Sequence, residues 1–245
     1  LMNALWDNLY VNVITESKEA YNLASDAGNT NLQGVALVMQ ANAFQILTDV
    51  YGPVPFTEAV VAGNVKPVFD SEEVVYDGIL ALLDDAESMF ATGTGDFTAS
   101  ADLVYGGDVE AWQKFANSFK LKMGMTIADV NAATAQQVVE DAVADGVFTS
   151  NADNAELKYL TAAPNQWPLY GARVGSFDEF RVSKTLTDRL RALGDTRINV
   201  FGRPSQKSVA NGTPVIEGVP NGLNDVDALA YNGGVQGVSR VGYTF

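Results

Sequence analysis

The sequence has 245 residues, 47% of them hydrophobic and 18% charged, a composition that supports a folded core and gives no sign of disorder. Its 15 Lys and Arg face 30 Asp and Glu, and the formal charge of −15 opposes binding to nucleic acid or to an anionic membrane surface. With no His and no Cys, the chain can form neither a disulfide nor a thiolate site, and no Ser-His-Asp or Cys-His triad of its own.

Residues 3–27 read as a helix, because Leu5, Trp6, Leu9, Tyr10, Val13, Ala20, Leu23 and Ala24 recur at three- and four-residue steps and Gly28 closes the run. A second helix over about 31–51 follows within a few residues, so the two should pack as a hairpin. Val35, Val38, Met39, Phe44, Ile46, Leu47 and Val50 cover most of its circumference, and Ala36, Ala41 and Ala43 admit close neighbours, which predicts burial between other helices. The helix stops at Gly52-Pro53. Glycine can take the left-handed closing conformation, Pro53 lacks the next amide donor, and Pro55 drives Val54 into an extended conformation.

Asp70-Ser-Glu-Glu73 is the next start signal, with Asp70 as the cap, Glu73 reaching back to it, and an acidic first turn suited to the helix dipole. Val75, Ile79, Leu82, Ala86 and Met89 form its apolar stripe. The Gly-, Thr-, Ser- and Asp-rich stretch 91–107 reads as a loop, and Gly106-Gly107 as the turn that sets Asp108 as the cap of the next helix. That helix carries Trp112, Phe115, Phe119, Met123 and Ile127 on one face, and a shorter one over about 132–145 ends at Gly146. Residues 1–146 are therefore expected to be a stack of helix pairs of the tetratricopeptide kind, made irregular by the long loop and by the lack of a fixed repeat of roughly 34 residues.

From 147 to 245 the texture changes to turn formers and aromatics. One helix is expected, over about 183–193, capped by Ser183, ended by Gly194 and docked by Leu186, Leu190 and Leu193; short Val- or Tyr-containing pieces beyond it read as strands or loops. The fold class is thus mainly α, an irregular tetratricopeptide-like stack followed by a loop-rich capping part with one helix and short strands.

Several blocks, in order, carry a resemblance. Thr48-Asp-Val-Tyr-Gly-Pro-Val-Pro-Phe-Thr-Glu-Ala59 is similar to the signature of the SusD-like (RagB-type) nutrient-binding outer-membrane lipoproteins, with Phe56 in place of the usual Tyr. Phe69-Asp70 through Val75-Tyr76, Asp102-Leu-Val-Tyr-Gly-Gly-Asp108, Trp112 to Ser118, Arg181-Val-Ser-Lys-Thr-Leu186, Asp195-Thr-Arg197 and Gly218-Val-Pro-Asn-Gly-Leu223 resemble later blocks of that family, although Thr196 stands where Pro is expected. The resemblance implies a non-catalytic, cell-surface component of an outer-membrane uptake system. Such a protein acts as a lid on a SusC-like TonB-dependent transporter and captures glycan or another oligomer. It further implies a lipid-anchoring Cys at the mature N-terminus, which this sequence does not contain, and further helices beyond Phe245.

Candidate site residues come from the residues themselves. Pro164-Asn-Gln-Trp-Pro-Leu-Tyr170 sets Trp167 and Tyr170 in a loop beside Asn165 and Gln166, with Arg173 close by. A pyranose presents an apolar face that stacks on such rings while amides and a guanidinium meet its hydroxyls. Packing of Trp167 onto the helical stack is the plainer role. Asp84-Asp85, Asp141 with Asp145 and Asp225 with Asp227 are the carboxylate pairs available for glycoside hydrolysis, which needs two acids facing across a cleft. Asn151-Ala-Asp153-Asn154 and Asn221 to Asp227 offer oxygen ligands of the type calcium prefers, but match no complete calcium loop, and ordinary Asx turns account for them. No cofactor is expected. A helical scaffold for peptide partners is the main alternative to glycan capture, and a glycosidase the next.

Overall fold

The computed structural model describes residues 2–160, 162, 166–167 and 180–242. Contacts divide the chain into two compact units, Leu1–Lys158 and Tyr159–Phe245.

The first unit is helical. Its opening helix runs through α1 (Met2–Asp7), a π-helical stretch (Asn8–Ile14) and α2 (Thr15–Asp26), with right-handed helical backbone at both junctions. At the end of the π-helical stretch the Tyr10 carbonyl accepts from both the Thr15 amide and, at 2.8 Å, Thr15 Oγ1. There follow α3 (Thr30–Tyr51), α4 (Glu72–Thr92), α5 (Val109–Thr126) and α6 (Ala132–Asp145), each packed chiefly on the next in sequence. This is the expected helix-pair stack, and among the described residues no helix is long and apolar enough to cross a membrane.

Its core is built where the stripes meet. Val38, Phe44 and Leu47 of α3, Val75, Ile79 and Leu83 of α4 and Met123 of α5 are all buried. Gly34 lies where α4 presses closest, since a Cβ there would stand 2.6 Å from the Phe90 ring. Helix α3 is less enclosed than its composition suggests: Met39 and Val50 are exposed, as is Leu23 on α2. On α4 the buried stripe includes Leu83 and Phe90, while the expected Leu82 and Met89 are only partly covered.

Gly52 closes α3 with φ 76°, and its amide donates to Thr48 O at 2.8 Å. Asp49 then ties α3 to α4 by accepting from Tyr76 Oη at 2.6 Å and from Gln45 Nε2. The expected cap of α4 is corrected by one residue. Ser71 accepts from Val74 N, whereas Asp70 accepts from Phe56 N, Thr57 N and Thr57 Oγ1 at 2.8–3.0 Å. Reciprocal backbone bonds between Val54 and Asp70 complete the clasp.

A second carboxylate organises the loop between α4 and α5. Asp102, 8% exposed, accepts from Val104 N, Tyr105 N, Gly107 N and Trp112 Nε1 at 2.8–3.1 Å. Burial alone would raise its pKa, but four donors outweigh that cost and hold it below the ordinary carboxylate range. Asp70 is likewise held low, its backbone and hydroxyl donors outweighing desolvation.

Residues 147–158 belong to the first unit and pack with its helices. Phe148 stacks on Phe115 with centroids 6.1 Å apart and its amide donates to Ser118 Oγ, while Asn117 Nδ2 donates to the carbonyls of Asp145 and Gly146.

In the second unit α7 (Lys184–Ala192), α8 (Ile198–Phe201), α9 (Gln206–Ala210) and α10 (Asp225–Ala230) surround a small core of Val182, Thr187, Leu190, Ile216 and Val238. One helix was expected here, and among the described residues three more are present; at four to six residues they are too short to display a periodic face. α7 docks through Thr187 and Leu190, with Leu186 and Leu193 exposed. Ser183 stands at its N-terminus without capping it, the hydroxyl donating instead to Asn221 Oδ1. Among the described residues the extended pieces form isolated bridges, such as Arg181 with Arg240, and no longer strand.

The Asp102 hub gives the first prediction. Asp102→Asn sets an amide donor among four donors and should cost about 2–3 kcal/mol, read as a lower urea midpoint at pH 7. Because Asp102 and Asp70 titrate lower in the folded chain than in the unfolded one, their contribution is complete above about pH 4 and is lost as pH falls through the lowered values. Acid unfolding of Asp102→Asn should therefore begin from a lower plateau and be shallower, and an unchanged profile would contradict the hub.

Candidate functional site

Of the five residues singled out from the sequence, Gln166 and Trp167 are described, while Asn165, Tyr170 and Arg173 lie outside the described residues. Trp167 is 36% exposed and meets Tyr159 edge to face, with ring centroids 5.1 Å apart and planes at 73°. Tyr159, at 44%, and Leu160 are exposed beside it. A parallel backbone bridge joins Leu160 and Gln166, next to the two rings. Trp167 therefore does not serve only as a core pin. The pair forms a corner of two aromatic faces, a shape that accepts the apolar face of a sugar ring.

Tyr159 was not singled out beforehand. Its one signal is the adjacent pair Tyr159-Leu160, and nothing in the spacing from 159 to 167 announces that the two rings meet.

A cavity of about 720 Å³ also opens in the second unit, walled by Val219, Leu229, Val235 and Val238 with Arg181 and Asn221 at its polar side. Its size suits a small molecule, yet among the described residues no aromatic ring lines it, so it lacks the stacking face a sugar uses.

The acidic candidates have local duties. Asp84 pairs with the buried Lys120 at 2.7 Å, Asp141 accepts from Gln137 Nε2 at 2.9 Å, and Asp227 accepts from Asn224 Nδ2 at 2.8 Å. Glu87 also meets Lys120, at 3.1 Å, and burial with the neighbouring Asp145 carboxylate raises its pKa in spite of that lysine. In the loop at Asn151–Asp153, one oxygen of Asp153 accepts from Thr149 N and Ser150 N, closing a capping box with Ser150, so these groups serve a local turn. These amides hold the Asp153 carboxyl below the usual range.

Charge is unevenly distributed between the units. Residues 1–158 hold 23 acidic and 6 basic side chains, whereas residues 159–245 hold 7 and 9, including every arginine in the chain. The strong negative field thus belongs to the helical unit, and the unit bearing the aromatic pair is close to neutral.

Residues 1–239 match the model of the SusD-like family described as starch-binding associating with outer membrane. The chain belongs to the SusD-like family. A solved chitin-binding protein is similar at 30% identity and a TM-score of 0.79, with 97% of this chain and 51% of that chain covered. A SusD homologue from Bacteroides uniformis is similar at 26% identity and a TM-score of 0.81 over 96% of this chain and 48% of its own. A chitin-binding SusD homologue from Flavobacterium johnsoniae gives 25% and 0.78, over 97% and 48%. The chain spans about half the length of these relatives. Among curated proteins none matches it.

The SusD-like signature blocks turn out to be structural in this chain: Asp49, Gly52, Asp70 and Asp102 close and tether helices. The aromatic corner lies outside them. Since Tyr159 and Trp167 are each more than a third exposed, Tyr159→Ala and Trp167→Ala should each shift stability by about 1 kcal/mol or less, measured by thermal unfolding. A loss of several kcal/mol would assign the pair to packing.

Proposed function

We propose that this protein is the glycan-capturing, non-catalytic component of an outer-membrane uptake system, held at the cell surface and acting as a lid on a SusC-like TonB-dependent transporter. The match of residues 1–239 to a starch-binding, outer-membrane-associated family carries this reading. Chitin-binding proteins among the similar structures make β-linked amino-sugar oligomers the first ligands to test.

The aromatic corner of Tyr159 and Trp167 supplies the chemistry. Stacking binds a neutral sugar by its apolar face, needs no titratable group and breaks no bond. Asn165, Gln166, Tyr170 and Arg173 complete the proposed site by meeting hydroxyl and acetamido groups. The absence of His and Cys from the sequence removes the commonest general base and the thiol nucleophile, which agrees with capture without turnover.

Titration of the full-length protein with chito-oligosaccharides and malto-oligosaccharides tests the reading. One series should bind, and Trp167→Ala should weaken it about tenfold, a loss of about 1.4 kcal/mol, with the thermal midpoint little changed. Equal affinity in the variant would remove Trp167 from the site. Release of shortened sugars, abolished by one Asp→Asn change, would replace capture with hydrolysis.

A further inference from the structure

The buried lysine of α5 gathers more acid than it can neutralise. Lys120, its side chain 9% exposed, meets Asp84 at 2.7 Å and Glu87 at 3.1 Å, both on α4. Asp145, the last residue of α6, brings a third carboxylate against Glu87. Glu87 gives Lys120 only its Oε2; its Oε1 is buried, and among the described residues no donor reaches it. Two facing carboxylates can only accept, so they repel each other unless a proton stands between them. α6 also has no basic side chain in its last turn, and a negative charge at Asp145 stands against the negative end of the helix dipole.

The neighbouring elements do not relieve the pair. The only charged side chain of α3, Asp49, accepts from Tyr76. On α5, Glu110 lies in the first turn, Lys114 meets Asp153 at 3.6 Å and Lys122 meets Gln45 at 3.4 Å. On α6, Glu140 and Asp141 accept from the amides of Gln136 and Gln137. Lys120 and Asp145 are thus the charged groups that act on Glu87. The acids do not converge as metal ligands do, and no such group occurs among the described residues.

We propose that Glu87 and Asp145 hold one proton between them and so form an acid-closed latch that pins the end of α6, and the residues that follow it, to α4. α5 holds the same turn by bonds that pH does not touch, Asn117 Nδ2 donating to the carbonyls of Asp145 and Gly146 at 3.1 and 3.0 Å. Opening the latch therefore frees one side of the turn and leaves the other tethered. A recess of about 350 Å³, lined by Glu87, Ser88, Ala91, Gln113 and Asp145, opens beside the pair and gives the proton a way out.

Burial most of all, with Asp145 adding to it, raises the pKa of Glu87 in spite of Lys120. Folding thus favours the protonated form. The latch contributes fully below the ordinary glutamate range, and its contribution is lost as pH rises through the raised value.

Two measurements on the full-length protein test the latch. Carbon-13 NMR of the carboxyl groups, with Glu87 assigned by the resonance that Glu87→Gln removes, reads the proton, and Glu87 should titrate above the ordinary glutamate range. Hydrogen exchange over residues 141–150, corrected for intrinsic rates, reads the turn. Wild-type protection there should fall about tenfold between about pH 4.5 and pH 8, while that of α3 stays constant. Glu87→Gln and Asp145→Asn each put an amide donor where the proton stood, so both should keep at pH 8 the protection that the wild type shows at pH 4.5. Glu87 titrating in the ordinary range would overturn the inference, as would wild-type protection that stays level with pH. So would variants whose protection falls with pH as the wild type's does, or is lost at every pH, the second result marking the pair as packing alone.

Discussion

The helical unit depends on carboxylates that collect backbone donors. A carboxylate only accepts, and its two oxygens can take about four hydrogen bonds, so one buried Asp can fix the ends of a loop that has no regular structure. Asp102 does this with three amides and the Trp112 indole, and Asp70 with two amides and the Thr57 hydroxyl. Each sits between helices, where the chain must turn and the next pair must find its place. Without cysteines or a central sheet, these clasps set the register that allows Phe44, Ile79 and Met123 to meet in one core.

Much of this was legible in the sequence because its signals are local. The five long helical runs follow from apolar steps of three and four, Asp108 caps α5 as its position suggests, and Gly52-Pro53 ends α3 for the reasons its chemistry gives. What the sequence did not disclose depends on distant partners. Asp70 looks like a helix cap until the chain folds back to bring Phe56 and Thr57 within reach, and the adjacent Ser71 then takes the cap. Leu82 and Leu83 both fit an apolar stripe, and only the neighbouring helices decide between them. The short helices of the second unit carry fewer than two turns, too little for a period to show.

The candidate site was legible in part. Trp167 stands out as an aromatic in a polar, proline-bounded loop, and it is exposed as a ligand-stacking ring must be. Its partner Tyr159 comes from eight positions earlier, and only the structure shows that the two rings meet. The signature blocks that identify the family say little about ligand, since here they clasp helices.

The central claim is that this acidic helical stack works as part of a membrane uptake assembly and not as a free-standing scaffold. The most direct measurement is purification of the full-length protein from its native membranes in mild detergent, with its companions identified by mass spectrometry. A TonB-dependent barrel in equal amount is the predicted result. Repeated isolation without any barrel, or with a soluble polypeptide in its place, would contradict it.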